Sequence, residues 1–364
     1  MPGNHARYTK HQLAPQWFTS SMVEIANNKT KSIPVHRVAL LRPFVQLLTD
    51  VGAPVERQFR KAGLPWYALE DVDNYIPSHG YWKFLACSAR AEGIEDLGFR
   101  VAEKFGADCA DPHMTEMLKK APTLYQGLSK ASELVNRTVT HCRFGILQPP
   151  NYGSAYFYHS PSCDADNPAI EQISWFGIMI LIDMVRVYAG PQWQPAEIGL
   201  MTDQMPNLYI REHFPHARMR LSQQFSYITL ENTTLTLPPL PDETAIPGSS
   251  ALEYKSLPDD FVSSLETVLQ SYLQEDDISI EVAAALCNTS KRTLQRRLKE
   301  LGTHYNEVLG HARFRLASQM LQNTGMTVTD IGFRLGYSDV AHFARAFRRI
   351  AGVTPQVYRQ QFNH

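Results

Sequence analysis

The sequence predicts an α+β N-terminal domain followed by an all-α C-terminal domain that contains two helix-turn-helix units. Three observations support this fold class. Helical patterns give way to strand-like runs over residues 33–240, a proline-rich stretch follows, and one helix-turn-helix pattern then occurs twice. We therefore predict a tail at 1–32, a first domain at 33–240, a linker at 241–257 and a second domain at 258–364.

The first domain begins with helical patterns and ends with strand patterns. Apolar spacing predicts helices over Arg37–Val51, Val55–Ala62, Ser78–Ala91, Leu97–Phe105 and Leu124–Val135. Strands are predicted over Cys142–Leu147, Ala155–His159, Glu197–Met201 and Tyr227–Leu230. Between the strands, Ala169–Ala189 forms a long apolar helix pattern bracketed by Asn167-Pro168 and Gly190-Pro191. We interpret this helix either as part of the core or as a dimer surface.

A change in composition marks the start of the second domain. Leu237–Ser250 contains four prolines and little apolar periodicity, which is typical of a domain end that runs into a linker. A helix over Asp260–Gln274 is then predicted before the first helix-turn-helix unit, and a helix over Tyr305–Gln322 connects the two units. The apolar face of the connecting helix is Phe314, Leu316, Ala317, Met320 and Leu321. A rigid connection of this kind fixes the separation of the two units.

The two helix-turn-helix units repeat one arrangement of residue types. A small residue, Ala284 or Gly332, lets the first helix approach the second. A residue that tolerates positive φ, Asn288 or Gly336, forms the turn, and a serine then starts the second helix. The two serines are Ser290 and Ser338. Two such units in one small domain predict a protein that reads two turns of DNA.

The charge of the chain is distributed unevenly. From Ala285 onward there are twelve basic and four acidic residues, whereas the rest of the chain carries 23 basic and 32 acidic residues. The formal net charge of −1 therefore conceals an excess of eight positive charges at the C-terminal end. Basic residues on helices beside a helix-turn-helix indicate a surface that contacts phosphates and releases counterions.

Residues from Phe261 to Phe362 resemble the DNA-binding domain of the AraC/XylS family of bacterial transcription regulators. The second unit carries the family signature in Ile331–Asp339, Phe343–Arg349 and Ala351–Pro355, and it continues through Tyr358-Arg359. One departure is Gly332, where the family usually has alanine; glycine inside a helix costs about 1 kcal/mol and softens this unit. The resemblance implies a regulator that binds double-stranded promoter or operator DNA.

Within each unit, we expect the exposed face of the second helix to read bases. In the first unit, Arg296 is predicted to contact guanine and Gln295 adenine, with Leu294 and Leu298 in the core. The predicted base-reading residues are Arg292, Gln295, Arg296, Lys299, Val340, Ala341, His342 and Arg345. The predicted backbone contacts are Ser290, Lys291, Thr293, Ser338, Arg348 and Arg349. Phe343, Phe347 and Ile350 are expected in the core.

The N-terminal domain resembles the arabinose-binding-like effector domain that accompanies this type of DNA-binding domain. The resemblance implies a small-molecule effector, a homodimer, contact with RNA polymerase and action as an activator. The effector and the residues that bind it are left open. Candidates of the kind that line pockets are Trp82, Arg143, Tyr156, Tyr158, His159 and Trp175. The alternative is a regulator of the same family without a small-molecule ligand, controlled by its abundance or by a protein partner.

Other function classes find no support in the sequence. We find no signal peptide, and the longest apolar run, Phe176–Ile182, is too short to span a bilayer, so a cytoplasmic protein is expected. The five cysteines form no Cys-x-x-Cys pair, and Pro215 separates His213 from His216, so we predict no metal site and no cofactor. Phosphate-binding loops, nucleophile elbows and paired metal ligands are also missing from the sequence, so no enzyme activity is predicted.

Overall fold

The computed structural model describes residues 32–241 and 257–362, apart from 110, 112, 141, 150–152, 162, 164, 259 and 274–277. The described residues form two compact units. The first comprises residues 39–62 and those from 81 to 257, and the second comprises residues 32–38, 63–80 and 258 onward. The predicted tail and most of the predicted linker lie outside the described residues.

Eight helices lie wholly or mainly in the described part of the first unit; six correspond to predicted helices, whereas Met114–Lys119 and Leu208–His213 were not predicted. They are α1 Arg42–Asp50, α2 Val55–Ala62, α3 Ser78–Glu92, α4 Leu97–Phe105, α5 Met114–Lys119, α6 Leu124–Thr138, α7 Ile170–Ala189 and α8 Leu208–His213. The sequence predicted α2 and α4 to the residue. The predicted start of α1 at Arg37 is wrong: Val38–Leu41 is a 3-10 helix, and Pro43 occupies the first turn of α1, where a missing N–H costs nothing.

A five-stranded sheet covers one side of these helices. Its strands are β3 Cys142–Leu147, β4 Ser154–Pro161, β5 Glu197–Gly199, β6 Arg218–Arg220 and β7 Ser226–Glu231, in the order β3-β4-β7-β5-β6. All neighbours are antiparallel except β5 and β6. β3 has the predicted bounds, whereas β5 ends two residues before the predicted Met201.

Helix α7 lies at the centre of this unit and is buried on most of its surface. Trp175 and Tyr188 are among its fully buried side chains, and the Tyr188 hydroxyl donates to the carbonyl oxygens of Leu118 and Ala121. The interpretation of this segment as a core helix is therefore confirmed. None of the described helices combines the length and apolarity that a membrane span requires.

Glycine allows α4 to approach α7 closely. A Cβ on Gly98 would overlap the backbone carbonyl of Gln172, so only glycine fits at this crossing. The Gln172 side chain secures the crossing, because its Oε1 accepts from the Gly98 N–H at 2.8 Å and its Nε2 donates to the Glu95 carbonyl at 2.7 Å.

The second unit contains the predicted C-terminal helices and one more at the end, Pro355–Phe362, that was not predicted. They are α9 Phe261–Gln270, α10 Ile280–Leu286, α11 Lys291–Glu300, α12 Tyr305–Asn323, α13 Val328–Arg334, α14 Val340–Ala351 and α15 Pro355–Phe362. Helix α9 ends before the predicted Gln274, because a turn over residues 271–273 follows Gln270. Side-chain caps start these helices, as when Asp260 accepts from the Ser263 N–H at 2.9 Å.

Two segments from the N-terminal part of the sequence belong to the same unit as these helices. Strand β1 (Val35–Arg37) pairs antiparallel with β2 (Tyr75–Pro77), and β2 packs against α9. The sequence predicted neither strand, because three residues are too few for an alternating pattern to be recognised. These contacts depart from the predicted boundaries, which assign residues 33–240 to one contiguous domain.

Candidate nucleic-acid interface

The second helix of the first helix-turn-helix unit, α11, presents a polar face. Leu294 and Leu298 are buried, four residues apart, as predicted. The opposite face carries the predicted base-reading residues Arg292, Gln295, Arg296 and Lys299, all of which are exposed. Ser290 caps the helix through its hydroxyl, which accepts from the Thr293 N–H at 3.2 Å, so its predicted capping role is confirmed.

An open groove borders one edge of the exposed face of α11. It has a volume of about 450 Å³ and lies between α11 and the start of α12. Its lining residues are Ile280, Lys291, Gln295, Leu298, Lys299, Thr303, His304, Tyr305 and Asn306. Gln295 and Lys299 therefore lie on the groove edge of the helix, whereas Arg292 and Arg296 do not line it. The sequence analysis missed Thr303, His304 and Asn306, which follow a glycine turn and carry no motif of their own.

Two ionic contacts involve the predicted DNA-contacting residues of α11. The Lys291 ammonium lies 2.6 Å from the Glu281 carboxylate, and this hydrogen bond lowers the pKa of Glu281. The Arg296 Nε lies 3.7 Å from Glu300, one helical turn away, and both side chains are largely exposed. Exposed pairs of this kind are weak, so they leave both cations available to other anions.

The second helix-turn-helix unit differs from the first helix-turn-helix unit in the length of its turn. The first helices and turn residues are offset by 48 positions, since the caps are Ser279 and Thr327 and the turn residues with positive φ are Asn288 and Gly336. The second helix, however, is capped by Asp339, whose carboxylate accepts from the His342 N–H at 2.6 Å. The prediction that Ser338 starts this helix is wrong, because the turn is one residue longer and places the aspartate at the cap.

The extra residue changes which positions of the two second helices correspond. The buried pair of α14 is Phe343 and Phe347, offset by 49 from Leu294 and Leu298. Arg345 therefore occupies the position of Arg296, and Arg348 occupies that of Lys299. The predicted contact residues of this unit, Val340, Ala341, His342, Arg345, Ser338, Arg348 and Arg349, are all exposed. Ile350, predicted in the core, is only half-buried.

A small residue in the first helix of each helix-turn-helix unit allows the second helix to lie close to it. Ala284 is buried in α10, and Gly332 is buried in α13. A Cβ on Gly332 would lie 3.2 Å from the Phe343 ring, which is tighter than an ordinary contact. An alanine methyl group at this position would require the Phe343 side chain to shift by a few tenths of an ångström.

Several basic residues of the C-terminal excess have structural contacts instead of a free surface. The Arg297 guanidinium lies 3.8 Å from the centre of the Phe261 ring, and burial lowers the pKa of Arg297. Arg315 pairs with the buried Glu266 at 3.0 Å. Arg359 donates to the carbonyl oxygens of Leu321 and Met326. The charge count therefore overstates the number of cations available to DNA.

Helix α12 makes contacts beside the first helix-turn-helix unit and within the second. Near its start, the Tyr305 hydroxyl donates to the Ile278 carbonyl at 2.5 Å, just before the first unit. Further along, the Phe314 ring packs on Phe347 of α14 with a centroid distance of 4.9 Å. The expected apolar face is partly confirmed: Ala317 and Leu321 are buried, whereas Phe314, Leu316 and Met320 are half-buried. These contacts attach α12 to the residues just before α10 and to α14.

The candidate effector-binding residues of the N-terminal compact unit do not form one site. Tyr156 and Tyr158 lie on one face of the sheet, where their rings pack on Tyr227 and Phe225. His159 lies on the opposite face against Gly177, and burial lowers its pKa to about 4. Trp175 is buried and stacked on Phe214, whereas Trp82 and Arg143 are half-buried. Among the residues that the structure describes, no group of three or more His, Cys, Asp or Glu side chains could hold a metal ion.

Two family models match the chain. A helix-turn-helix domain model matches residues 283–361, and a model described as the arabinose-binding domain of AraC transcription regulator matches residues 52–239. Together they match the two parts of the chain that the sequence patterns distinguished. The second model alone covers more than half of the chain.

Three curated relatives with similar sequences are named as regulators. HTH-type transcriptional regulator VirS of Mycobacterium tuberculosis is 24% identical over 342 residues, which cover 89% of this chain and 96% of VirS. The ornithine utilization regulator of Pseudomonas aeruginosa is 43% identical over 81 residues, 22% of this chain. That alignment spans only 24% of the ornithine regulator, and the alignment to regulator Rv1395 of M. tuberculosis spans 20% of Rv1395.

A solved structure is also similar. Transcriptional regulator CdpR from Pseudomonas aeruginosa is 16% identical, with a TM-score of 0.36 and coverage of 88% of this chain and 97% of CdpR. Similarity at this level does not bear on function. The match to the arabinose-binding model, which extends over more than half of the sequence, shows that the chain belongs to the AraC family of transcription regulators.

Proposed function

We propose that the protein is a sequence-specific transcription regulator that inserts α11 and α14 into successive major grooves of double-stranded DNA. One observation carries this proposal. Two helices, each with a buried pair four residues apart and an exposed polar or basic face, are held in one compact unit by α12. A helix that is buried on one face and exposed on the other fits the major groove.

The geometry refines the predicted contacts. Arg292 and Arg296 do not line the groove beside α12, so we assign them to guanine edges at the centre of the first half-site. Gln295 and Lys299 line the groove, where Lys291 adds a second ammonium. We assign Gln295 to an adenine edge and Lys299 to the border between bases and backbone. The predicted phosphate contacts of this unit remain Ser290, Lys291 and Thr293.

The second helix-turn-helix unit has fewer polar side chains that could contact bases. Arg345 corresponds to Arg296 and is our proposed base reader, while Val340, Ala341 and His342 contact thymine methyl groups or backbone. Ser338, Arg348 and Arg349 are proposed as phosphate contacts. Because Arg348 occupies the position of Lys299, both helices carry a cation at the same distance from their starts.

The N-terminal compact unit, residues 39–62 and 81–257, is proposed to sense a small-molecule effector and to form the homodimer. The matched model describes an arabinose-binding domain, and this supports a ligand of low molecular weight without identifying it. Effector binding would shift the population toward the arrangement that binds DNA and contacts RNA polymerase. We propose activation of transcription in the cytoplasm; one relative is named transcriptional activator NphR.

A second candidate is a regulator of the same family that binds no small molecule and responds to its own abundance or to a protein partner. The separate locations of the candidate pocket residues favour keeping it. Thermal unfolding of the full protein with a metabolite library distinguishes the two. A ligand present at one hundred times its Kd stabilises the folded state by about 2.7 kcal/mol, whereas the second candidate predicts no shift.

The direct test of DNA recognition is selection of genomic fragments by the purified protein, followed by footprinting at two salt concentrations. We expect protected sites that cover two adjacent major grooves and persist at the higher salt. Binding that is indifferent to sequence and lost at the higher salt, with and without cell extract as a source of effector, would contradict specific recognition.

A further inference from the structure

Residues that precede and interrupt the effector domain in sequence are packed into the DNA-binding unit. The Ser271 hydroxyl of the turn after α9 donates to the Tyr75 carbonyl of β2 at 2.7 Å. The Tyr272 hydroxyl donates to the Gly63 carbonyl at 2.9 Å, and the Ile33 N–H donates to the Ser264 hydroxyl of α9 at 3.0 Å. Three hydrogen bonds thus attach residues 32–38 and 63–80 to α9 and to the turn that follows it.

These two segments also bury apolar side chains. The buried residues include Ile33, Val35, Leu64, Ala68, Tyr75 and Ile76. On the side of α9, Leu265, Val268 and Leu269 are fully buried. Burial of these apolar side chains stabilises the packing of the two segments within the unit. We call residues 32–38 and 63–80 the brace.

The brace reaches the second helix-turn-helix unit through one ion pair. Arg334 is the last residue of α13, and its Nη2 lies 2.7 Å from Oε2 of Glu70, the last residue of the 3-10 helix Trp66–Glu70. The Arg334 side chain is 36% exposed and that of Glu70 is 61% exposed. Helix α13 packs through Gly332 against Phe343 of α14. A contact at the end of α13 therefore bears on the orientation of α14.

We infer that the brace is an integral part of the DNA-binding domain and that Glu70 is a positioning residue for the second helix-turn-helix unit. The chain enters residues 63–80 directly from α2 and leaves them directly into the rest of α3. A change in the N-terminal domain thus reaches the brace along the chain and α13 through the Glu70–Arg334 ion pair, without using residues 242–256. The consequence for DNA rests on the function proposed above; the positioning of α13 does not.

Hydrogen exchange on the full-length protein tests the positioning role without DNA. In Glu70→Gln, we expect exchange of the α13 and α14 amides to become about two- to fivefold faster, as fits the loss of one partly exposed ion pair, with α10 and α11 unchanged. The matched control is Glu56→Gln, which removes the exposed pair with Arg60 inside α2 and should leave the C-terminal helices unchanged. The exchanged pair Glu70→Arg with Arg334→Glu should restore slow exchange.

The outcomes separate this inference from the proposed function. Unchanged exchange in α13 and α14, or an increase spread equally over α10 and α11, would overturn the positioning role. Footprinting on a selected site adds a second readout: Glu70→Gln should weaken protection of the half-site bound by α14 by about two- to fivefold and spare the other half-site. If the wild-type protein binds no specific DNA, the proposed function fails, and the exchange result still decides whether Glu70 positions α13.

Discussion

The guanidinium groups of the C-terminal helices divide into two kinds at the scale of single residues. Arg297, Arg315 and Arg359 contact a ring, a buried carboxylate and backbone carbonyl groups, and they hold helices together. Arg292, Arg345 and Arg348 are exposed on α11 and α14 and make no ion pair with the described residues. Sequence alone separates these kinds poorly, because both lie on amphipathic helices. Only the packed neighbours distinguish them.

Arg296→Ala and Arg349→Ala should weaken DNA binding in different ways. Removing a bidentate contact to guanine is expected to cost about 1–3 kcal/mol on the selected site and little on random DNA. Removing a phosphate contact should weaken both and reduce the slope of log affinity against log salt by about 1. Titration of both variants on specific and random duplexes measures this. Equal losses on the two duplexes for both variants would refute the assignment.

Because of Glu171, the free energy of unfolding of the N-terminal compact unit should decrease as pH rises through neutrality. Burial, with Glu95 and Asp96 nearby, raises the pKa of this carboxyl from 4.5 to about 7. Between these values the folded state binds more protons than the unfolded state, so stability falls as pH increases. Glu171→Gln should therefore gain on the order of 1–2 kcal/mol over wild type at pH 8 and little at pH 4.5. Urea unfolding at both pH values tests this, with exposed Glu133→Gln as the control.

At the scale of elements, local signals predicted those features that depend on local physics. Helices α2 and α4 and strand β3 have the predicted bounds, since each combines apolar periodicity with clear flanking residues. The start of α14 was misplaced because Ser338 and Asp339 are both good caps, and only the turn geometry selects between them. Strands β1 and β2 were missed because their pairing joins residues about forty positions apart.

Asp339→Ala should loosen the start of α14. Loss of an aspartate cap costs about 1 kcal/mol, which corresponds to about fivefold faster hydrogen exchange in the first turn of the helix. Ser338→Ala, at the neighbouring exposed position, should leave this exchange unchanged. The reverse result would restore Ser338 as the residue that starts the helix.

Gly98→Ala and Gly310→Ala should change stability in opposite directions, although both place alanine within a helix. At Gly98 the new methyl group would overlap the Gln172 backbone, so we expect a loss of about 1–3 kcal/mol. At Gly310 the nearest atom, an Arg349 Nη2, would be 4.0 Å away, and the better helix propensity should gain about 1 kcal/mol. Chemical denaturation of the two variants, followed by helix signal, measures both changes. A loss at Gly310 would show crowding that this geometry does not contain.

At the scale of the whole molecule, division by contacts departs from division by sequence. Composition separates the proline-rich stretch from its neighbours, and this placed the predicted boundary near Pro258. The composition of the brace shows no such change, because its assignment depends on hydrogen bonds to α9 and the following turn from residues about two hundred positions away. The family could be predicted from the signature around α13 and α14; the discontinuous DNA-binding unit could not.

Changing the DNA instead of the protein tests the fixed separation of the two units. Because α12 contacts both units, inserting five base pairs between the half-sites should reduce affinity about tenfold or more, and inserting ten should do so as well. A flexible connection would tolerate ten base pairs better than five, since ten restore the same face of the duplex. Gel-shift titrations of the three sites distinguish these outcomes, and recovery of affinity at ten would contradict a rigid connection.

The longer turn before α14 also gives the protein a direction. Because the second helix starts one residue later and carries Val340 and Ala341 where the first carries Lys291 and Arg292, a single chain cannot bind its site equally well in either orientation. A bound protomer therefore has a front and a back along the duplex. Reversing the target sequence would turn the same protein surface away from the gene it faced before.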